Sequence, residues 1–167
     1  MFKILLFSIE HLLCSSGEAS LTEPDQKTFH QLMLTIKTFK SVYLGHNVVS
    51  IDLADLYSLS HYGGYGFVTS AVASGENKSL IALDLALFSF PASEIIYKAK
   101  KLFLYISYGF GPDELTIKEL VDLMDYLSNK IDDSKDLIWS TGPDSELLGD
   151  NVRVTVVAAG LEISNVL

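Results

Sequence analysis

Positive charge is scarce in this 167-residue chain: 12 Lys and Arg stand against 21 Asp and Glu, a formal net charge of −9. Nucleic-acid binding needs clustered cations to neutralise phosphates, so that partner class is excluded. A polybasic anchor on an acidic membrane face is excluded for the same reason. The chain has one cysteine, Cys14. That leaves no pair for an internal disulfide and no cysteine cluster for a metal, and it fits a reducing cytosol. Cys14 itself reads as a small half-buried apolar residue. No apolar run reaches the eighteen or so residues that a membrane helix needs. The opening stretch, MFKILLFSIEHLLC, is interrupted by Glu10 and His11 and lacks a small-residue cleavage site. It reads as a strand rather than a signal peptide, and the expected location is cytoplasmic. The four histidines, His11, His30, His46 and His61, lack metal-ligand spacing and read as surface or half-buried residues.

What the chain does have is apolar mass. Nearly half of its residues are hydrophobic, enough for one domain plus an arm to bury roughly two thirds of its unfolded surface. Phe2 to Phe7 is a continuous apolar run, expected of a strand buried on both faces. From Asp25 to Leu44, Phe29, Leu32, Met33, Ile36, Phe39 and Tyr43 recur at helical spacing, and Gly45, His46 and Asn47 end that helix. A short helix is expected over Asp52 to Leu59, with Ser50 as a possible cap. Gly63, Gly64 and Gly66 read as a turn, followed by a strand over Phe67 to Ala73 and a helix over Glu76 to Phe88. Leu102 to Tyr108 reads as a strand. Thr116 and Glu119 have capping-box spacing and open a helix whose inward face would be Ile117, Leu120, Val121, Met124, Leu127 and Ile131. A brief strand over Leu137 to Ser140, a loop over Thr141 to Asp150 and a strand over Val152 to Ala158 complete the pattern. Trp139 reads as core packing, and Arg153 as an outward partner for an acid. Alternating helices and strands place the chain in the α/β or α+β class, helices packed on one sheet.

The sharpest local feature is Ile51-Asp52-Leu53-Ala54-Asp55-Leu56. Two carboxylates three apart at a helix start share a face. Such a pair can polarise a water or hold a hydrated cation. Acids in a first turn also complement the helix dipole and need no further role. Spacing alone favours that second reading.

A series of motifs in order adds to this. Ser50-Ile51-Asp52-Leu53-Ala54-Asp55 is similar to the synergy loop, Asn-x-Asp-Phe-Ala-Asp, of FtsZ, the bacterial relative of tubulin. Gly64-Tyr65, Ala73-Ser74-Gly75-Glu76-Asn77-Lys78, Ala99-Lys100, Leu137-Ile138-Trp139 and Leu148-Gly149-Asp150-Asn151-Val152-Arg153-Val154-Thr155-Val156 resemble that family's carboxyl-terminal motifs. Upstream, Phe7-Ser8-Ile9-Glu10-His11-Leu12-Leu13 is similar to its Ile-Pro-Asn-Asp-Lys-Leu-Leu. The resemblance implies a tubulin/FtsZ carboxyl-terminal domain: a mixed four-stranded sheet with helices on one face, preceded by a strand and the long central helix. Residues 1–47 would be a remnant of the nucleotide-binding domain, and residues 48–167 the carboxyl-terminal domain.

The family's Gly-Gly-Gly-Thr-Gly-Thr-Gly signature is missing, as is a Walker-type loop. Phe29 stands about where the family's guanine-contacting Asn would be. The resemblance therefore implies no cofactor bound by this chain alone, with GTP and Mg on a partner subunit. In the family, the synergy-loop acids act across a subunit boundary, so the implied catalytic residues are Asp52 and Asp55, working in trans. Ser50 departs from the family's Asn. The implied partner is an FtsZ-like subunit, or a second copy, met through the synergy-loop face. No direct membrane anchor is expected, because only a few residues follow the last strand. A non-catalytic module that caps or regulates an FtsZ-like filament is the alternative, and a remnant without activity is a third.

Overall fold

The computed structural model describes residues 37, 38, 40–42, 47–49, 51, 54, 55, 58, 59, 65–90, 95–111, 114–131 and 136–162. The strand expected over Phe2 to Phe7, most of the helix expected over Asp25 to Leu44, Cys14 and all four histidines lie outside these residues. The named elements are β1 (Tyr65–Ala73), α1 (Lys78–Phe88), α2 (Ile95–Lys98), β2 (Lys101–Phe110), α3 (Ile117–Lys130), β3 (Asp136–Leu148) and β4 (Val152–Leu161).

The order of the sheet follows from the composition of its strands. β2 places Leu102, Phe103, Leu104, Tyr105 and Ile106 in succession, and every one is buried. A strand apolar at consecutive positions has no face to give to water, so it occupies the interior of a sheet covered on both sides. β2 and β4 are the two inner strands of the order β1-β4-β2-β3. β4 runs antiparallel to both β1 and β2, whereas β2 and β3 are parallel. A hairpin cannot join a parallel pair, and α3 lies in the crossover between them. The sheet is therefore mixed and four-stranded, as expected.

Period-two alternation sorts the side chains into two cores. Leu102, Leu104, Ile106, Val152, Val154, Val156 and Ala158 pack with Ala82, Leu83 and Ala86 of α1 and with Leu123 and Leu127 of α3. The two long helices thus share one face. On the other face Val68, Phe103, Tyr105, Val157 and Ala159 pack with Val42 and Leu59, and Ile51 and Ile138 join them. Val42 and Leu59 come from helical positions preceding β1, so the arm lies against the sheet and completes its second core.

Several expectations are corrected by this packing. The buried stripe of α3 is Leu120, Leu123, Met124, Leu127 and Ile131. Ile117 and Val121 are 82% and 50% exposed. Leu123 lies beside Leu120 and Leu127 on the 3.6-residue helix, while Val121 is turned about 100° from Leu120. The capping box itself is present: Thr116 Oγ1 accepts from the Glu119 N–H at 3.2 Å, and the Glu119 carboxylate accepts from the Thr116 N–H at 2.9 Å. The residues 141–148, expected as loop, continue β3, and only Gly149–Asn151 separate it from β4. Pro143 is tolerated because β3 is an edge strand, where a missing donor need not break a ladder. Gly66 lies in β1 rather than in a turn, and Gly63 and Gly64 fall outside the described residues. Near Gly66 the register passes from Tyr65↔Leu161 to Phe67↔Ala158, which leaves an extra residue on β4. Gly160, at φ 74°, takes the left-handed conformation that this bulge requires.

A polar tie holds α1 to α3. The Asp84 carboxylate accepts from Tyr126 Oη at 2.6 Å and from Lys130 Nζ at 2.9 Å. Burial pushes the Asp84 pKa up, but these two hydrogen bonds and the Lys130 charge outweigh it and hold the carboxyl below its ordinary value.

Phe103 is fully buried in the second core. Phe103→Ala is expected to cost about 3–5 kcal/mol through lost transfer energy and a cavity. Denaturant unfolding should show a lower midpoint at unchanged slope.

Candidate functional site

The segment that carries the acids is fixed at both ends. Upstream, Val48 N–H donates to the Thr141 carbonyl at 2.9 Å and Val49 N–H to the same oxygen at 3.3 Å. Ser140 Oγ donates to the Val49 carbonyl at 2.7 Å. Residues 47–49 thus lie as a strap along the outer edge of β3, meeting it in an antiparallel bridge at Val49 and Thr141. Ile51 enters the second core, and Leu59 is buried in it at 1% exposure. Between those anchors, Ala54 and Asp55 are helical.

Asp55 is half-buried, and its carbonyl accepts from Ser58 Oγ at 2.5 Å. Asp52 and Ser50 lie outside the described residues. The structure therefore places one of the two expected site residues, in a helical position, and leaves their mutual geometry undescribed.

Beside the strap, the second face of the sheet changes character. Past Val68, Phe103 and Val157 the inward positions become Ser70, Thr155, Arg153, Tyr105, Ser107 and Asp144, which with Lys37, Thr38 and Ser41 line a cleft of about 380 Å³. Arg153 Nη1 donates to Asp144 Oδ2 at 2.5 Å. The acid expected for Arg153 is found, but the pair lies in the cleft, mostly buried, rather than outward. Lys37 Nζ meets Glu146 at 3.3 Å across the mouth. Ser70 and Thr155 hydroxyls share a hydrogen bond at 2.9 Å. Ser107 is 1% exposed, and its hydroxyl has no hydrogen-bond partner among the described residues.

Tyr105 links the cleft to the strap: its hydroxyl donates to Asn47 Oδ1 at 3.3 Å. Burial raises the Tyr105 phenol to about 12, with the nearby Asp144 and Tyr108 adding to the rise and Arg153 opposing it. Trp139 packs half-buried against the helix-side core, as expected.

Asn47, Tyr105 and Asp144 were not singled out by the sequence. Tyr105 is hidden in an apolar strand, and Asp144 sits in a Gly/Pro/Asp-rich stretch that imitates a loop. Asn47 was read only as part of the end of the expected long helix. The described residues hold no cluster of three or more His, Cys, Asp or Glu with metal-binding geometry. Around the strap the groups are carboxylate, hydroxyl and amide, and the cations lining the cleft meet Glu146 and Asp144. That set suits hydrogen bonding and orienting a water better than gripping a polyphosphate. No described helix is long and apolar enough to cross a membrane.

Comparison with known proteins agrees with the motif series. No family model matches the chain. It is 26% identical over 136 residues to cell division protein FtsZ 1 of Archaeoglobus fulgidus, covering 81% of this chain and 36% of that protein. It is 23% identical over 159 residues to cell division protein FtsZ 1 of Halobacterium salinarum, covering 95% of this chain and 39% of that one. Among solved structures, an empty FtsZ dimer from M. jannaschii superposes with a TM-score of 0.67 at 22% identity, covering 93% of this chain and 43% of that one. The fold is that of the tubulin/FtsZ carboxyl-terminal domain, and the chain is FtsZ-like. It spans under two fifths of the length of these two curated relatives.

Tyr105 gives a test of the cleft. A phenol whose pKa is raised by folding supports stability fully below the unfolded value and loses that support as pH climbs through the folded one. Stability should therefore fall between about pH 10 and 12. Tyrosinate absorbance should reveal a late-titrating phenol that Tyr105→Phe removes.

Proposed function

We propose that this chain is the FtsZ-like component of a cell-division cytoskeletal filament, promoting hydrolysis of GTP held by an adjacent nucleotide-binding subunit. The observation that carries this reading is the pinning of the acid-bearing segment. The strap at 47–49, the half-buried Ile51 packed against the second core and the buried Leu59 anchor the motif that holds Asp52 and Asp55. Residues 48–167 form the working domain in this reading, and residues 1–47 the remnant of a nucleotide-binding domain.

Asp52 and Asp55 would face the neighbour's nucleotide and orient the attacking water, with Mg on the partner's side of the contact. Phosphoryl transfer responds to such placement because its barrier is lowered chiefly by orientation and charge stabilisation. A positioned acid or base contributes on the order of 10² to 10⁴ in rate. The relatives' names supply the cell-division context, and the FtsZ dimer among the similar structures supports assembly with a like subunit or with a second copy; in this reading the synergy-loop face makes that contact. GTP bound by that subunit is the substrate.

The test is GTP turnover by a nucleotide-competent FtsZ, titrated with this chain or with its Asp52→Ala/Asp55→Ala form. The native chain should stimulate turnover, and the double variant should lose at least about 10² of that effect. Equal suppression by both forms would sink the catalytic reading in favour of a non-catalytic module that caps or regulates the filament.

A further inference from the structure

We propose that Asn47 is the positioning residue of the acid-bearing segment, a latch that sets the strap in register against β3. The proposal rests on the functional reading above for its consequence, but not for its geometry. Two contacts of Asn47 use opposite ends of its amide. Its Nδ2 donates to the Val42 carbonyl at 2.6 Å, taking up an acceptor near the end of the preceding helical residues. Its Oδ1 accepts from Tyr105 on the inner strand β2 at 3.3 Å. The side chain therefore ties the helical residue Val42 to the sheet at the first residue of the strap.

A third contact makes the seat specific. A Cβ placed on Gly142 would collide with Asn47 Oδ1 and press on its Cα at 3.1 Å. The glycine next to Thr141 thus allows Asn47 to approach β3 closely enough for Val48 and Val49 to reach the Thr141 carbonyl. Tyr105 stays a neutral donor over the ordinary pH range, and burial fixes its ring. Asp55 lies eight residues beyond Asn47, with Ile51 seated in the core between them. An error at Asn47 is carried forward into the acids, and misplacement of about 1 Å far from the chemistry is enough to slow a positioned reaction.

Two readouts on the full chain test this. In Asn47→Ala, the Val48 and Val49 amides should exchange hydrogen about tenfold faster, while the Val154 and Val156 amides of β4 keep their protection. In the turnover assay, maximal stimulation should fall about tenfold with an unchanged half-saturating concentration of the chain. Tyr105→Phe, which keeps the ring, should move both readouts in the same direction by less. Gly142→Ala should reproduce the Asn47→Ala pattern. Should Asn47→Ala unfold the chain, β4 protection would vanish too, and Tyr105→Phe then decides. Unchanged Val48 and Val49 exchange in these variants would overturn the latch. Faster exchange with undiminished stimulation would overturn its positioning role. A native chain that fails to stimulate at all would instead remove the proposed function, and the exchange measurement alone would then decide whether Asn47 holds the strap.

Discussion

The burial of β2 on both faces is the constraint from which the rest of the architecture follows. Leu102, Leu104 and Ile106 point one way and Phe103 and Tyr105 the other, all of them buried. One cover is local in sequence: α1 and α3 flank β2 along the chain and pack over its first face. The second cover has to come from elsewhere, and it comes from the arm through Val42, Ile51 and Leu59. At roughly 1.5–3 kcal/mol for each large apolar side chain, the second core is a sizeable share of a domain's net stability. The acid-bearing segment joins two of its contributors, so its position follows from packing and does not depend on its own loop propensity.

This division accounts for what the sequence made legible. Strands and helices of the first face announced themselves through local pattern: the alternation of Val152, Val154 and Val156, the run in β2, and the Thr116–Glu119 box. Their identities were recoverable because local preference and tertiary environment agree there. The motif series added the tubulin/FtsZ-type fold and the candidate acids, which composition and periodicity could not. The misreadings lie where tertiary context overrides local preference. Gly142 and Pro143 look like loop residues until the edge position of β3 makes one a close-approach site and the other harmless. Ile117 and Val121 look like core residues until the faces of α3 are counted against the sheet. Arg153 looks like a surface cation because its acid, Asp144, sits in the same misread stretch.

The site was legible in part for a related reason. Asp52 and Asp55 stand out by spacing, but the helix dipole explains that spacing more simply, and only the resemblance carried by the ordered motifs favours a catalytic reading. Asn47 and Tyr105 carry no such signal: a polar residue after a helix and a tyrosine in a strand are both commonplace. Their meaning arises from a contact between positions 58 residues apart, which no local window contains.

The second face also explains why a polar cleft sits beside an apolar core on the same strands. From Phe103 and Val157 the inward residues pass to Tyr105 and Thr155, and then to Ser107 and Arg153, within four residues along each strand. Among the described residues, a cover made by a few helical residues extends over only part of the sheet, and the remainder carries groups compatible with water. A charged pair, a hydroxyl pair and a long surface ion pair meet that requirement there. Tyr105 stands at the boundary, its ring in the core and its hydroxyl at the polar edge, the usual place for a side chain with an apolar body and a polar tip. Asn47 takes up that hydroxyl where the core gives way to the cleft. The strap is therefore fastened, beside its backbone contacts to β3, at a point on this face where a buried hydroxyl needs a hydrogen bond and competing water is limited.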